Sequence, residues 1–369
     1  MSSLVEVARA AGVAVSTASR VLSGSDHPIS ARTRARVIAA AEKLDYSPSA
    51  VARAMVSPHS RLVGVLVSDI DNPYFSVIAR GVDDVASRAG YVTMLSNVDR
   101  RTGTEIERLQ AMRDYRAAGV VFAGSGYVDD SRTPDLVDAV RRAREQGVHA
   151  VSLAVRDLGC PSVVVDNRAV AHQIADHLVS LGHRRIAFIE GPTGMTVTRH
   201  RREGFLARMR EAGLEDSAQC LPGGFDYEAG RAATLRLLAR PPLPDALIGA
   251  NDEVAVGALS ALRQARVDVP GEVSVAGMDD LRLAEFVGLT TVSLPLYEMG
   301  SLAARHIIDA SSRPAPRAAA TAATGAGGPD GSDSPDADAD AGSERTATTV
   351  LSHRLTVRET TARRTGAGA

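Results

Sequence analysis

Apolar positions in the first sixty residues recur at helical spacing in short bursts. Leu4, Val7 and Ala8 form one such face. Ser3 and Glu6 open it as a capping box, in which the serine accepts a backbone N–H and the glutamate reaches back; Gly12 closes it. A second helix is expected over about 15–22, followed by a turn at Ser23-Gly24-Ser25-Asp26. Ser30 caps a third over 31–44, with Ala35, Ile38, Ala41 and Leu44 as its expected face and Val37 beside it. The tight turn at Gly12 favours a helix-turn-helix over a plain three-helix cluster.

From Arg61 the period changes. LVGVLVS is a buried-strand run, FSVIARGVDDVASRAG an amphipathic helix, YVTMLSN a strand, and GVVFAGS another after a helix over 104–118. The alternation continues through PSVVVDN, AVAHQIADHLVSLG, RRIAFIEG, RHRREGFLARMREAG, ALIGAND, VAVGALSALRQA and VSVAGMDD. Such succession predicts parallel sheets covered by helices on both faces, and the echo of 61–160 in 163–290 predicts two similar α/β lobes. Residues 311–346 are small, polar and acidic; they cannot bury enough surface to offset chain ordering and are read as a disordered acidic insertion. Apolar alternation returns in TVLSHRLTVRE, where the chain is expected to re-enter a sheet.

Composition changes this picture only locally. The chain has 369 residues, 44% of them hydrophobic but only 4% aromatic and none Trp, so packing relies on Ala, Val and Leu. A net charge of -2 hides a bias: residues 1–60 carry seven basic residues against four acidic ones. Cys160 and Cys220 have no CxxC or metal-ligand spacing and read as reduced structural thiols. MSSLVEVARA lacks the apolar core of a secretory signal and no run is long enough to span a bilayer, so a cytoplasmic protein with no membrane role is expected. With no GxSxG elbow, P-loop or metal cluster, neither an enzyme nor a cofactor is called for; His172, His177 and His183 read as surface or packing residues.

LVEVARAAGVAVSTASRVLSG, followed by ISARTRARVIAAAEKLDYSPSAVARAM and RLVGVLVSDIDNPYF, resembles the LacI/GalR family of bacterial transcription regulators over nearly the whole chain outside 311–346. The resemblance implies an all-α helix-turn-helix head (1–48), a hinge helix and linker (49–60), and a two-lobed α/β core (61–360) like periplasmic sugar-binding proteins. Lobe one is expected over about 61–160 plus 293–310, and lobe two over 163–291 plus 347–360, with crossovers near 159–165, near 288–295 and just after 310. Residues 15–22 match the recognition helix: Val15 and Ser16 at the variable base-reading positions and Arg20 at a third, reaching either guanine or phosphate. Thr17 and Ser19 are expected phosphate contacts. Two departures stand out: Ala14 replaces the usual hydroxyl cap and Ala18 a larger apolar residue. In Ser49–Val56, Met55 takes the minor-groove wedge position, with Ala52 and Ala54 keeping the backbone slim.

For the core, the resemblance implies a ligand cleft beyond the carboxyl ends of the strands. Asp69 and Tyr74-Phe75 match a DxxNPFF signature whose aromatics either stack on a ligand or cover the sheet end. Arg201 matches an arginine that grips ligand oxygens, with Arg199 and Arg202 as alternatives. Asn251, Asp279 and Phe225 match cleft residues, and Asp166 is either a ligand contact or a loop cap. The implied protein is a homodimer on a pseudo-palindromic double-stranded operator, in most relatives a repressor, answering to a small polar effector such as a sugar or nucleoside. Two rivals stay open: a solute-binding protein of a transport system, and an α/β enzyme with an accessory helical domain.

Overall fold

The computed structural model describes residues 2–22, 27–46, 61–312 and 347–364. The expected hinge 49–60, with Ala52 and Met55, and residues 313–346 of the expected insertion lie outside the described residues.

The head is three helices, α1 (Leu4–Ala11), α2 (Val15–Leu22) and α3 (Ala31–Lys43). The capping box forms: Ser3 N donates to Glu6 Oε2 (2.7 Å) and Glu6 N to Ser3 Oγ (3.3 Å). Gly12 ends α1 at φ 61°, where a side chain would be strained. Ser30 Oγ accepts from Thr33 N (3.2 Å) to start α3. The buried cluster is three valines (Val7, Val21, Val37) and five alanines (Ala8, Ala11, Ala18, Ala40, Ala41). The phase of α3 differs from the expectation: Val37, Ala40 and Ala41 face inward, Ala35 is exposed, and Ile38 is 43% exposed. The cause lies next to Val37. Arg36 donates from Nε to Ala11 O (3.1 Å) and from Nη2 to Ala11 O and Gly12 O, which fixes the rotation of α3 over the turn.

The core begins with β1 (Leu62–Val67), α4 (Pro73–Arg88), β2 (Val92–Asn97), α5 (Thr102–Asp114), β3 (Gly119–Phe122), α6 (Thr133–Glu145), β4 (His149–Ser152) and β5 (Ser162–Val165). It continues with α7 (Asn167–Ser180), β6 (Ile186–Ile189), α8 (Thr196–Glu211), β7 (Ala218–Leu221), α9 (Tyr227–Leu238), β8 (Ala246–Gly249), α10 (Asp252–Gln264), β9 (Ser274–Asp279), α11 (Arg282–Phe286) and β10 (Thr290–Ser293). The chain then returns through α12 (Leu296–Ser312), β11 (Thr348–Leu351) and β12 (Arg354–Thr356).

Two six-stranded sheets result. The first runs β11-β5-β4-β3-β1-β2, all parallel; the second runs β12-β10-β9-β8-β6-β7, parallel except for the antiparallel β10–β12 pair. Helices cover both faces, so β1 is buried along nearly its whole length, as its unbroken apolar run requires. Helix α12 lies directly against α4. A Cβ on Gly81 would sit 2.1 Å from Tyr297 O, and one on Gly300 2.1 Å from Ile78 O, so this crossing depends on both glycines.

The third crossover departs from the expectation. Thr348–Leu351 pairs in parallel with Ser162–Val165 on the first sheet, and only at Arg354 does the chain pair on the second. Residues 347–351 therefore belong to lobe one, and the crossover follows residue 351 instead of residue 310. The TVLSHRLTV segment is two short strands on different sheets, separated at Ser352-His353. Strand β5 likewise belongs to lobe one, which moves the first crossover to Asp166. Both cysteines are free, Cys160 buried and Cys220 half-buried. Among the described residues no helix is long and apolar enough to cross a membrane.

Candidate functional site

On α2, Ala18 and Val21 turn inward while Val15, Ser16 and Arg20 are exposed and Thr17 and Ser19 half-buried. Helical spacing separates the two sets, because the inward pair lies at i and i+3. At its start Ala14 offers only its carbonyl, which accepts from Thr17 N (2.9 Å) and Ala18 N (3.1 Å). The result is a short outward ridge on a thinly packed base, shaped for a groove. Arg36, counted among the head's basic residues, is committed to the turn carbonyls.

Between the lobes, the carboxyl ends of both sheets face a cavity that is open at its mouth. Tyr74, Phe75, Arg201, Phe225, Asn251 and Asp279 all line it. Lobe one brings Tyr74 and Phe75, whose rings meet edge-to-face at 5.1 Å, with Leu153 and Val155 extending the apolar wall. Lobe two brings the charged end. Arg201, only 4% exposed, donates from Nε to Asn167 Oδ1 (2.9 Å), from Nη1 to Ala250 O, and from Nη2 to Asp279 Oδ1 (3.3 Å). Its neighbours point elsewhere: Arg199 pairs with Glu203 and Arg202 with Glu190, so of the three it is Arg201 that lines the cleft.

Asp279 sits at φ 117° and Asp280 at φ 59°, backbone that L side chains adopt only when the surroundings enforce it. The enforcement comes from both sides. Arg358 Nη2 donates to Asp280 Oδ1 (2.6 Å), and Leu281 N donates to Asp252 Oδ2 (2.7 Å), whose other oxygen accepts from Thr291 Oγ1 (2.6 Å). Burial raises the pKa of Asp279 to about 6, against the lowering pull of Arg201. Asp252 is raised as well, through burial and the nearby Asp279 charge. Burial likewise pushes the Tyr74 hydroxyl up, and Asp279 adds to it. Glu253 rises to about 7 through burial and the carboxylates of Asp226, Asp279 and Asp69.

Two expected ligand residues are set back from the cavity. Asp69 pairs with Arg100 (2.9 Å), and it is Arg100 that reaches the lining. Asp166 caps α7, accepting from Arg168 N (2.9 Å) and Ala169 N (3.2 Å), because its carboxylate stands directly below unpaired helix N–H groups. The adjacent Asn167 orients Arg201 instead; the VVVDN strand end was the available signal. Asn251 lines the cavity with its amide already engaged: Oδ1 accepts from Val254 N (2.9 Å) and Nδ2 donates to Phe225 O (2.9 Å). Sequence reasoning also missed a strap across the mouth. Val197 N donates to Ser125 Oγ (3.2 Å), Thr196 N to Gly126 O (2.9 Å) and Val128 N to Gly194 O (2.8 Å), tying the lobes together.

Comparison with known proteins adds to this geometry. The family described as bacterial regulatory proteins, lacI family, matches residues 3–49, and periplasmic binding proteins and sugar binding domain of LacI family matches residues 60–321. The ribose operon repressor of Escherichia coli K12 is 33% identical over 318 residues, 85% of this chain and 94% of that protein. Catabolite control protein A of Priestia megaterium is 31% identical over 306 residues, 82% and 90% of the two chains. Among solved structures, the lac repressor dimer bound to operator and the anti-inducer ONPF has the same fold, with a TM-score of 0.78 at 24% identity over 98% of this chain and 99% of that one. The regulator CelR in complex with cellobiose matches at a TM-score of 0.63 and 29% identity, over 98% and 100% of the chains.

Proposed function

The chain belongs to the LacI/GalR family of bacterial transcription regulators, and from that premise we propose how its parts divide the work. It is a sequence-specific DNA-binding repressor controlled by a small sugar- or nucleoside-like ligand, and not an enzyme. In the proposed reading α2 enters the major groove, with Val15, Ser16 and Arg20 against base edges and Thr17 and Ser19 against phosphate. Ala52 and Met55, outside the described residues, are assigned to a minor-groove hinge on the sequence pattern alone. The protein works in the cytoplasm as a homodimer on a pseudo-palindromic operator. The exposed Val92, Met94 and Leu95 of β2, the open edge of the first sheet, support a dimer surface there.

The observation that carries the effector half is the buried Arg201–Asp279 pair at the end of an aromatic cleft between two lobes. Arg201 retains donor hydrogens, and Asp279 an acceptor oxygen, beyond those they spend on each other, which suits neighbouring hydroxyls on a ring. Asn251 sets the Phe225 loop, while Tyr74, Phe75 and Phe225 enclose the ring's apolar face. Occupancy favours one disposition of the lobes over another and so shifts the population of DNA-competent dimers. DNase footprinting of the full chain tests the whole reading: a symmetric protected stretch is expected, its midpoint concentration moved by the effector. A monomer that protects no duplex with any small molecule overturns it.

A further inference from the structure

We propose that the effector is an uncharged ring compound, and that this cleft excludes phosphorylated sugars and nucleotides. The inference rests on the cleft reading above and sharpens it. Recognition of phosphate calls on unneutralised Arg or Lys, or on open N–H groups at a helix N-terminus. Among the described residues around the cavity, both lining arginines are already paired with carboxylates, and the helix starts carry bonded first-turn N–H groups.

The cations come first. The chain's single lysine, Lys43, lies in the head. Arg201 is neutralised by Asp279 and further tied to Asn167 and Ala250. Arg100 is neutralised by Asp69 at 2.9 Å. The third basic side chain on the lining, His200, has its pKa lowered chiefly by burial and stands there as a neutral ring at neutral pH. Behind this lining stand further carboxyl groups: Asp226 and Glu253 lie close enough to interact, with Glu253 raised to about 7 and so only partly charged, and Asp280 is paired with Arg358.

The helix ends follow the same pattern. Four helices begin at the cavity, and each has first-turn N–H groups already bonded. Tyr74 N donates to Asn72 Oδ1 (2.9 Å) on α4, Arg168 N and Ala169 N to Asp166 on α7, and Val254 N to Asn251 Oδ1 (2.9 Å) on α10. On α8 the strap serves instead, with Thr196 N on Gly126 O and Val197 N on Ser125 Oγ. A phosphate monoester, carrying about -1.5 to -2 at neutral pH, would be desolvated beside arginines whose charge is already matched by Asp279 and Asp69. A neutral ring meets Tyr74, Phe75 and Phe225 on its C–H face and the remaining valences of Arg201 and Asp279 on its hydroxyls.

The test is calorimetric titration of the full chain at neutral pH with matched pairs: D-ribose and D-ribose 5-phosphate, D-glucose and D-glucose 6-phosphate, adenosine and AMP. Every pair that binds should favour its neutral member by about ten-fold or more in Kd. A phosphate ester that equals or exceeds its neutral partner overturns the proposal while leaving the sugar-or-nucleoside cleft standing. No binding by any of the six removes the cleft reading itself, and this proposal with it. Asp69→Asn gives an independent arm. It releases the Arg100 charge towards the cavity and should narrow the neutral-to-phosphate gap several-fold in whichever pair binds; an unchanged gap overturns the electrostatic cause.

Discussion

In the head, the side chains proposed to read bases (Val15, Ser16, Arg20) stand outside the packing, whereas in the cleft the residues proposed to hold a ligand are part of it. Val15, Ser16 and Arg20 are exposed on a helix whose buried side is only Ala18 and Val21. Arg201 and Asp279 are buried, hold each other, and are held in turn by Asn167, Ala250 and the clamped loop that Asp252 and Arg358 enforce. Side chains outside the packing can be exchanged at little cost to the fold, so base preference can change one residue at a time. Side chains inside an interlocked set act as a unit, and their energies do not add. The two halves of one regulator therefore differ in how a substitution divides between binding and stability.

The sharpest way to break that contrast is Arg201→Ala. It leaves Asp279 buried without its cation and Asn167 and Ala250 without their donor, so a loss of about 3–5 kcal/mol in core stability is expected alongside the loss of effector response. Urea unfolding of the full chain measures it. A core as stable as the parent would show that the pair is not the structural unit described. Arg20→Ala should give the opposite split: operator affinity falls by about 1–3 kcal/mol, read by fluorescence anisotropy at two salt concentrations, while the core's melting stays fixed. If specificity at one base relaxes, Arg20 reads an edge; if only the salt slope shrinks, it holds phosphate.

Arg36→Ala separates the head's two kinds of arginine. Arg36 spends its guanidinium on Ala11 O and Gly12 O, so its loss should weaken operator binding by about 1–2 kcal/mol through head stability. The salt slope should then stay unchanged, which distinguishes it from a phosphate contact. Nothing in the sequence marks Arg36 out from Arg32 and Arg34, because its bond crosses 25 residues to a turn. The same limit hid the strap at Ser125–Val128 and the role of Asn167. Periodicity registers what repeats along the chain and placed the strands and helices, while the family resemblance singled out Tyr74, Phe75, Arg201, Phe225, Asn251 and Asp279, which line one cavity. Long-range hydrogen bonds leave no periodic trace. Phase also failed in α3, where an alanine-rich helix offers several faces of nearly equal hydrophobicity and the bonds of Arg36 to the turn carbonyls set the rotation that buries Val37. The third crossover was misplaced because TVLSHRLTV reads as one alternating run, although its halves pair on different sheets.

Acid should affect the two regions unequally. In the proposed reading the ionised Asp279 carboxylate accepts ligand hydroxyls, and its pKa in the free protein is raised to about 6. Protonation removes that acceptor, so effector affinity should hold above neutrality and fall as pH drops through about 6, by up to about ten-fold per unit well below it. Titration calorimetry across pH 5–8 checks this (a range set by the pKa in question). A flat profile would mean that the carboxylate is not a direct acceptor. Asp279→Asn should flatten the profile if Asp279 is its source.

The smallest effect probes the head's thin packing. Helix α2 begins at Ala14, whose carbonyl takes Thr17 N and Ala18 N but whose side chain can accept nothing. Ala14→Ser supplies an oxygen for a first-turn N–H and should stabilise the head by about 0.5–1 kcal/mol, seen as slower amide exchange over α1 to α3. With a buried cluster of only three valines and five alanines, the head has little apolar area to hold its fold. If the DNA-free head is partly unfolded, the added cap should also tighten operator binding, since only the folded head binds. If the head is already fully folded, exchange slows and affinity stays where it was. The pair of measurements thus shows whether DNA meets a preformed ridge or completes one.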